Sequence, residues 1–213
     1  MPKSRRKISA VLKDFQKIIL KHERYDAENQ KNFSSIGKYI RLSKTQLFLL
    51  TESIYFASFR AFEGFLRDIF LLYCMGHKTL SGNRVISYLN PKDFSHAEKL
   101  IRSSMKFLDW ASPDELIDRS EIYLKDGYPI KTPISTNLQP LREFRKIRNH
   151  IAHESSESYS EYIKVIRNYY TVVPLRVPSP GEFLLLSDRR VGNQYKLITF
   201  FNLVKKISIN LTN

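Results

Sequence analysis

The sequence predicts an all-α protein: a helical bundle followed by a C-terminal extension with a short strand and a final helix. Apolar residues recur at helical spacing over most of the 213 residues, and capping residues stand where several helices would begin. Glycines and prolines fall between these segments, where turns are expected. Hydrophobic residues make up 42% and charged residues 26% of the chain, as in folded globular proteins.

A first helix is predicted after a short basic arm. The arm, residues 3–7, leads into apolar residues at i, i+3, i+4 and i+7 that end near His22, and a polar linker is predicted at residues 26–31. The arm is interpreted as a solvated chain terminus, with an RNA or membrane-surface contact as the alternative.

The second helix is the longest and is expected to be the axis of the fold. It is predicted from Ser43 to about Met75, because Ser43 and Gln46 have the spacing of a capping box and Gly76 is placed to end it. The segment is apolar nearly all round, which favours a central, buried position, and Gly64 is a point where it could bend.

Two further helices are predicted between residues 91 and 125. The first runs from Pro91 through Trp110, and the second begins at Ser112, where serine can cap it and proline takes the first helical position. The second helix is expected to end near Lys125. The core face of the first is expected to consist of Ala97, Leu100, Ile101, Met105 and Leu108.

The helix that carries the candidate site follows an extended connection at residues 129–135. Ser135 or Thr136 is placed to cap this helix, which is predicted to run through His153. A polar break at residues 154–158 separates it from a sixth helix around Tyr162.

The C-terminal part is predicted to be less regular. Three prolines between residues 171 and 180 exclude a helix there, a short strand is predicted at residues 183–186, and a last helix follows Gly192 and ends near Asn210. The predicted division is a helical domain at residues 1–180 and an extension, residues 181–213, that packs on it.

Charge and composition limit the classes of partner, compartment and cofactor that the sequence predicts. The 35 Lys+Arg and 21 Asp+Glu give a formal charge of +14, which favours a polyanionic partner, above all nucleic acid. The single cysteine, Cys74, lies in an apolar run and is interpreted as a buried thiol in a reducing, cytoplasmic compartment. No secretory signal, membrane span, phosphate-binding glycine motif or metal-ligand spacing is present, so no cofactor and no metal are expected.

The predicted helix through His153 has an unusual polar face. At about 100° per residue, Leu141, Phe144, Ile147 and Ile151 fall on one side of it. The opposite side carries Arg142, Arg145, Asn149 and His153. This pattern is that of an amphipathic helix. The interpretation that requires no function is that its basic face is in contact with solvent.

Arg148 and His153 are the pair on which chemistry could depend. An arginine fork binds phosphate and a histidine carries protons near neutral pH, and these two functions suffice for cleavage of RNA by its own 2′-OH without a metal. Five residues place the two side chains about 140° apart on a helix, so they do not share a face. Asn149 shares the face of His153 and could orient its ring.

The segment Arg148-Asn-His-Ile-Ala-His153 resembles the Arg-polar-x-x-x-His signature of HEPN domains, a helical family named for nucleotide binding in higher eukaryotes and prokaryotes. Residues 58–70 resemble the early long helix of bacterial HEPN nucleases, and residues 141–148 resemble the approach to their motif. The resemblance covers roughly residues 40–170. Its specificity comes from the occurrence of these segments together and in the same order as in the family.

The resemblance implies a HEPN-like bundle that forms a homodimer with two copies of the motif in one cleft. It implies metal-independent endoribonuclease activity on RNA in toxin-antitoxin or anti-phage systems, with an antitoxin or defence-system protein as a further partner. By position, Arg148 is the phosphate-contacting arginine, Asn149 the polar second residue and His153 the catalytic histidine. A dimer would also let residues of two chains meet across the cleft.

Other residues are assigned supporting roles. Arg142, Arg145 and Lys146 are expected to extend the RNA-binding surface, and His150 is expected to contact RNA or to pack. Glu63 or Arg60 is placed to support Arg148 from the long helix, with a local Glu63–Arg67 ion pair as the alternative. The alternative function is a non-catalytic HEPN-like module that binds RNA or a protein through the same face.

Overall fold

A computed structural model describes residues 6–34, 41–103, 108–170, 173–188 and 192–213 and confirms an all-α fold with a short C-terminal sheet and a final helix. Within these residues a short 3₁₀ helix, Lys125–Gly127, accompanies nine α-helices, and two antiparallel strands pair Ser187 with Tyr195. The helices are α1 (Ile8–Ser34), α2 (Lys44–Cys74), α3 (Phe94–Arg102), α4 (Pro113–Tyr123), α5 (Lys131–Ser135), α6 (Leu138–His153), α7 (Ser156–Tyr170), α8 (Pro180–Leu184) and α9 (Lys196–Thr212), and the strands are β1 (Ser187–Asp188) and β2 (Gln194–Tyr195).

Helix α1 is longer than predicted. The predicted end near His22 and the linker at residues 26–31 are wrong, because the helix continues to Ser34. No glycine or proline stands between His22 and Ser34 to end it. Asp26 even turns inward, and its burial raises the pKa of the carboxyl. Of the basic arm, Lys3 and Arg5 lie outside the described residues, while Arg6 pairs with the buried Asp68.

Helix α2 forms as predicted. The Ser43 N–H donates to Gln46 Oε1 at 2.9 Å and the Gln46 N–H donates to Ser43 Oγ at 3.2 Å, which is the capping box. The helix continues through Gly64, and Gly76 follows it with a φ of 80°. Cys74 is buried, as predicted, and burial raises the pKa of its thiol to about 12. None of the described helices combines the length and apolar character needed to cross a bilayer.

Helix α3 is shorter than predicted. It begins at Phe94, because the Asp93 side chain accepts the His96 N–H and caps it, and it ends at Arg102 before Ser103, whose φ is 45°. Ala97, Ile101 and Leu108 are buried as expected, but Leu100 is exposed and Met105 lies outside the described residues. Trp110 is not helical and meets Phe70 edge to face.

The start of α4 is confirmed and the start of α6 is corrected. Ser112 Oγ accepts the Glu115 N–H ahead of Pro113. Residues 129–135 are not extended, since they include α5. The Ser135 and Thr136 hydroxyls donate to carbonyls of α5 and therefore cap nothing downstream, and α6 begins after Asn137.

The C-terminal elements differ from the prediction in one place. The strand predicted at residues 183–186 is wrong: Phe183 and Leu184 belong to α8, which Ser179 caps by accepting the Glu182 N–H, and the strand follows at Ser187. The predicted last helix is confirmed as α9. The polar break before α7 is reduced to residues 154–155.

The described chain divides into two compact units that interleave along the sequence. The first contains the described residues up to Lys17, from Ala61 to Arg142 and from Val204 to Asn213; the second contains those from Ile18 to Arg60 and from Glu143 to Leu203. In the first unit, Phe15 stacks on Phe65 with ring centres 4.7 Å apart. The Tyr73 hydroxyl there donates to the Leu211 carbonyl at 2.7 Å.

Phe200 of α9 is the centre of the core of the second unit. Its fully buried ring lies 4.9 Å from Tyr55, 5.8 Å from Phe59 and 5.1 Å from Phe144. The Tyr55 hydroxyl donates to the Phe144 carbonyl at 2.5 Å. Because Phe144 precedes Arg148 by one helical turn, this cluster fixes the part of α6 that carries the motif.

Gly181 allows α8 to approach the main chain of α2. A Cβ atom at this position would lie 2.2 Å from the Phe48 carbonyl oxygen and 2.9 Å from Phe48 Cα. The Gly181 N–H also donates to Glu52 Oε1 at 2.7 Å. A side chain here would force the two helices apart.

Gly181→Ala is therefore expected to destabilise the protein by about 1–3 kcal/mol, measured by urea denaturation. The matched control is Gly64→Ala, which lies inside α2: apart from its chain neighbours and the backbone of its own helix, no described atom lies within 4 Å of a Cβ built there. This variant is expected to gain about 0.5–1 kcal/mol, since alanine has the higher helix propensity. Equal effects of the two substitutions would contradict the close approach at Gly181.

Candidate functional site

Helix α6 presents the motif as the sequence predicts. Leu141, Phe144 and Ile147 are buried and Ile151 is half-buried, so the predicted apolar side faces the interior. Helix α6 ends at His153, because Glu154 has a φ of 47°. Arg148, Asn149 and His153 therefore lie on the last turns of a helix whose orientation is fixed by its buried face.

Arg148 is held against α2. Its guanidinium carbon lies 5.7 Å from the centre of the Phe59 ring and 6.0 Å from that of Phe56. Its Nη1 donates to Asn149 Oδ1 at 2.9 Å. Aromatic faces attract a guanidinium, so these contacts fix the direction of the side chain while it remains partly exposed.

His153 is exposed at the C-terminal end of α6. The structure brings Arg148 and Asn149 into contact, but within the described chain Asn149 bonds Arg148 and not His153. Asn149 was predicted to orient the His153 ring, but the hydrogen bond that its side chain makes is to Arg148. Its observed contact positions the arginine.

Two of the predicted RNA-binding cations form ion pairs. Arg142 Nε donates to Asp114 Oδ2 at 3.0 Å, and Lys146 Nζ lies 2.9 Å from Glu161 Oε2. Arg145 is half-buried, with its Nε enclosed. Surface ion pairs contribute little to stability, so a phosphate could replace the carboxylates at a small free-energy cost.

The two supporting residues predicted on α2 differ in their surroundings. Arg60 is exposed and belongs to the second unit, whereas Glu63 is half-buried and belongs to the first. Phe56 and Phe59 supply aromatic contacts to Arg148 from α2. A role for Arg60 or Glu63 beside Arg148 remains a prediction. Arg67 pairs with Asp68, next to it in the sequence.

His150 packs, which was one of its two predicted roles. Its ring stacks on the buried Tyr162 with centres 5.0 Å apart and planes 19° apart, and its Nδ1 lies 3.4 Å from Ser158 Oγ. Burial lowers the pKa of His150, and the nearby Glu154 carboxylate opposes part of that change. The ring is therefore neutral over more of the physiological range than a free histidine.

His150 also lines a pocket of about 600 Å³ in the second unit. The walls come from the first turns of α2, the end of α6, the first half of α7 and the segment from residue 176 to α8. The charged side chains that line it are Glu52, Glu154, Arg176 and Glu182, and Phe48, Leu49, Tyr159 and Tyr162 are among the apolar and aromatic ones.

Sequence reasoning missed the two carboxylates Glu52 and Glu154 of this pocket. Glu52 is one of a few acids on a mostly apolar helix, and Glu154 lies in the polar break after the motif, so neither belongs to a recognisable pattern. Burial raises the pKa of Glu52, the Gly181 N–H opposes this change, and the Glu154 carboxylate adds to it. No group of three His, Cys, Asp or Glu side chains that could hold a metal was found in the described part of the chain.

No protein-family model, no curated protein and no solved structure matches the chain.

Proposed function

We propose that the protein is a metal-independent endoribonuclease that acts as a homodimer. The observation that carries the proposal is the Arg148-Asn149-x-x-x-His153 motif at the end of α6, where Arg148 is oriented by three contacts and His153 is accessible. The formal charge of +14 suits a polyanionic substrate. The resemblance to HEPN nucleases adds a setting in toxin-antitoxin or anti-phage defence.

The proposed reaction is a transesterification within RNA. The ribose 2′-oxygen attacks the adjacent phosphorus and forms a bond to it. The bond between that phosphorus and the 5′-oxygen of the next nucleotide breaks, which leaves a 2′,3′-cyclic phosphate and a 5′-hydroxyl. His153 moves a proton to or from these oxygens, and Arg148 stabilises the negative charge on the phosphorane. Since the two side chains project about 140° apart on one helix, the proposed site combines residues of both protomers.

A second candidate is a non-catalytic HEPN-like module that binds RNA or a protein. The observation that favours it is the packing of Arg148, whose guanidinium is already engaged by two aromatic rings and Asn149. In this candidate Arg148 positions the α6 surface and does not contact a phosphate. It predicts binding that weakens with added salt and no cleavage.

The experiment that separates the two candidates is an RNA cleavage assay with the purified chain in EDTA. The ribonuclease is expected to generate fragments with 2′,3′-cyclic phosphate ends and 5′-hydroxyl ends, and its solution mass is expected to be that of a dimer. Salt-sensitive RNA binding without any cleavage would favour the second candidate. Cleavage that requires a divalent metal would overturn the first.

A further inference from the structure

The pocket next to His150 has the size of a small-molecule site. Its volume of about 600 Å³ lies within the roughly 300–1,000 Å³ typical of ligand pockets. Its lining combines aromatic and aliphatic surface with a small number of charged groups, which is also the usual composition of such sites. The pocket is built from residues that the RNA-cleaving motif does not use, apart from its neighbour His150.

The charge of the pocket is opposite to that of the chain. Arg176 and Glu182 form an ion pair in which Nη2 contacts both carboxylate oxygens, with Oε2 at 2.6 Å, so their charges largely offset each other. Neither Glu52 nor Glu154 has an ion-pair partner among the residues that the structure describes. The protein is +14 overall, but this pocket presents two carboxylates that no cation of the described chain neutralises.

Glu52 and Glu154 are in an arrangement that a bound cation would stabilise. Glu52 is half-buried and accepts one hydrogen bond, from the Gly181 N–H at 2.7 Å. The nearby Glu154 carboxylate raises the pKa of Glu52 further, because like charges repel. An opposite charge in the pocket would relieve both the burial cost and the repulsion, and the exposed ring of Tyr159 could add cation–π attraction.

We propose that this pocket binds a small organic cation, a protonated primary amine or a guanidinium carried on an apolar body. The charge is directed to the Glu52 and Glu154 carboxylates, and the body lies against Phe48, Leu49 and Tyr159. The same carboxylates disfavour anions, so the site is distinct in chemistry from the one that would hold RNA phosphates. The proposal does not depend on RNA cleavage.

Calorimetric titration of the full chain with 2-phenylethylamine tests the proposal, with 2-phenylethanol and phenylacetate as probes of similar size that are neutral and anionic. The amine is expected to bind at least tenfold more tightly than the alcohol, which corresponds to about 1.4 kcal/mol, and phenylacetate is expected not to bind. Glu154→Gln and Glu52→Gln are each expected to weaken amine binding about tenfold.

The matched control is Glu157→Gln, an exposed acid on α7 that does not line the pocket, and it is expected to leave amine binding unchanged. Glutamine at position 52 can still accept the Gly181 N–H, and Glu154 is exposed, so at least the second variant is expected to keep the fold. The proposal is overturned if the amine and the alcohol bind alike, if neither gives saturable binding, or if folded Glu154→Gln binds the amine as well as the unsubstituted chain.

Discussion

Replacement of His153 by alanine is expected to lower the rate of RNA cleavage by about 10²–10⁴-fold, the usual contribution of a general acid or base. The side chain is exposed at the end of α6, so its removal is expected to leave the thermal unfolding midpoint nearly unchanged. The measurement is the single-turnover rate on a defined RNA in EDTA, together with a thermal melt of the same sample.

The control for this variant is His96→Ala, which removes a histidine that lies outside α6 and accepts the Lys92 N–H at 3.0 Å. It is expected to cleave RNA at the unsubstituted rate. If the His153→Ala protein retains full activity, cleavage by the proposed site is ruled out, whatever the end groups are. If both variants lose activity equally, the loss reflects the general state of the protein and the role of His153 is rejected.

Phe200→Ala is expected to destabilise the protein by about 3–5 kcal/mol, the largest stability effect of any substitution considered. The reason is that the ring is fully buried and contacts Tyr55, Phe59 and Phe144, so its loss leaves a cavity where α2, α6 and α9 meet in the second unit. The measurement is urea denaturation, supported by a fall in the thermal midpoint of roughly 10 °C.

A half-buried phenylalanine provides the comparison. Phe94→Ala, at the first position of α3, is expected to cost clearly less than Phe200→Ala because less apolar surface returns to water on unfolding. Since Phe59 of the same cluster also lies under Arg148, Phe200→Ala is expected to reduce any cleavage activity before the protein unfolds globally. A cost similar to that of Phe94→Ala would show that the Phe200 cluster does not carry the core of the second unit.

Local signals in the sequence were sufficient for helices with strong caps. Ser43 with Gln46, Ser112 with Pro113, and Gly76 each predicted a boundary that the structure has, because these residues act on their immediate neighbours. The prediction of a linker at residues 26–31 was wrong because no local signal supported it. Its polar composition contained no residue that breaks a helix, and polarity alone does not end one.

Prediction of the site was limited by contacts between distant parts of the chain. The position of the motif at the end of α6 follows from helical periodicity, which is local. The contact of Arg148 with Phe56 and Phe59, and the pocket that joins Glu52 to Glu154, depend on residues about ninety or more positions apart. Short-range spacing contains no information on such pairs, so neither the aromatic contacts of Arg148 nor the pocket could be predicted from the sequence.

The close approach at Gly181 has a consequence for how the pocket could vary among related proteins. Where α8 meets Phe48, the contact is made with main-chain atoms of α2, and only glycine fits there. Side-chain changes at positions 154 or 159 would therefore alter which molecule the pocket accepts without moving α8 away from α2. Divergence of ligand preference within a lineage is expected to begin at those positions, with the glycine retained.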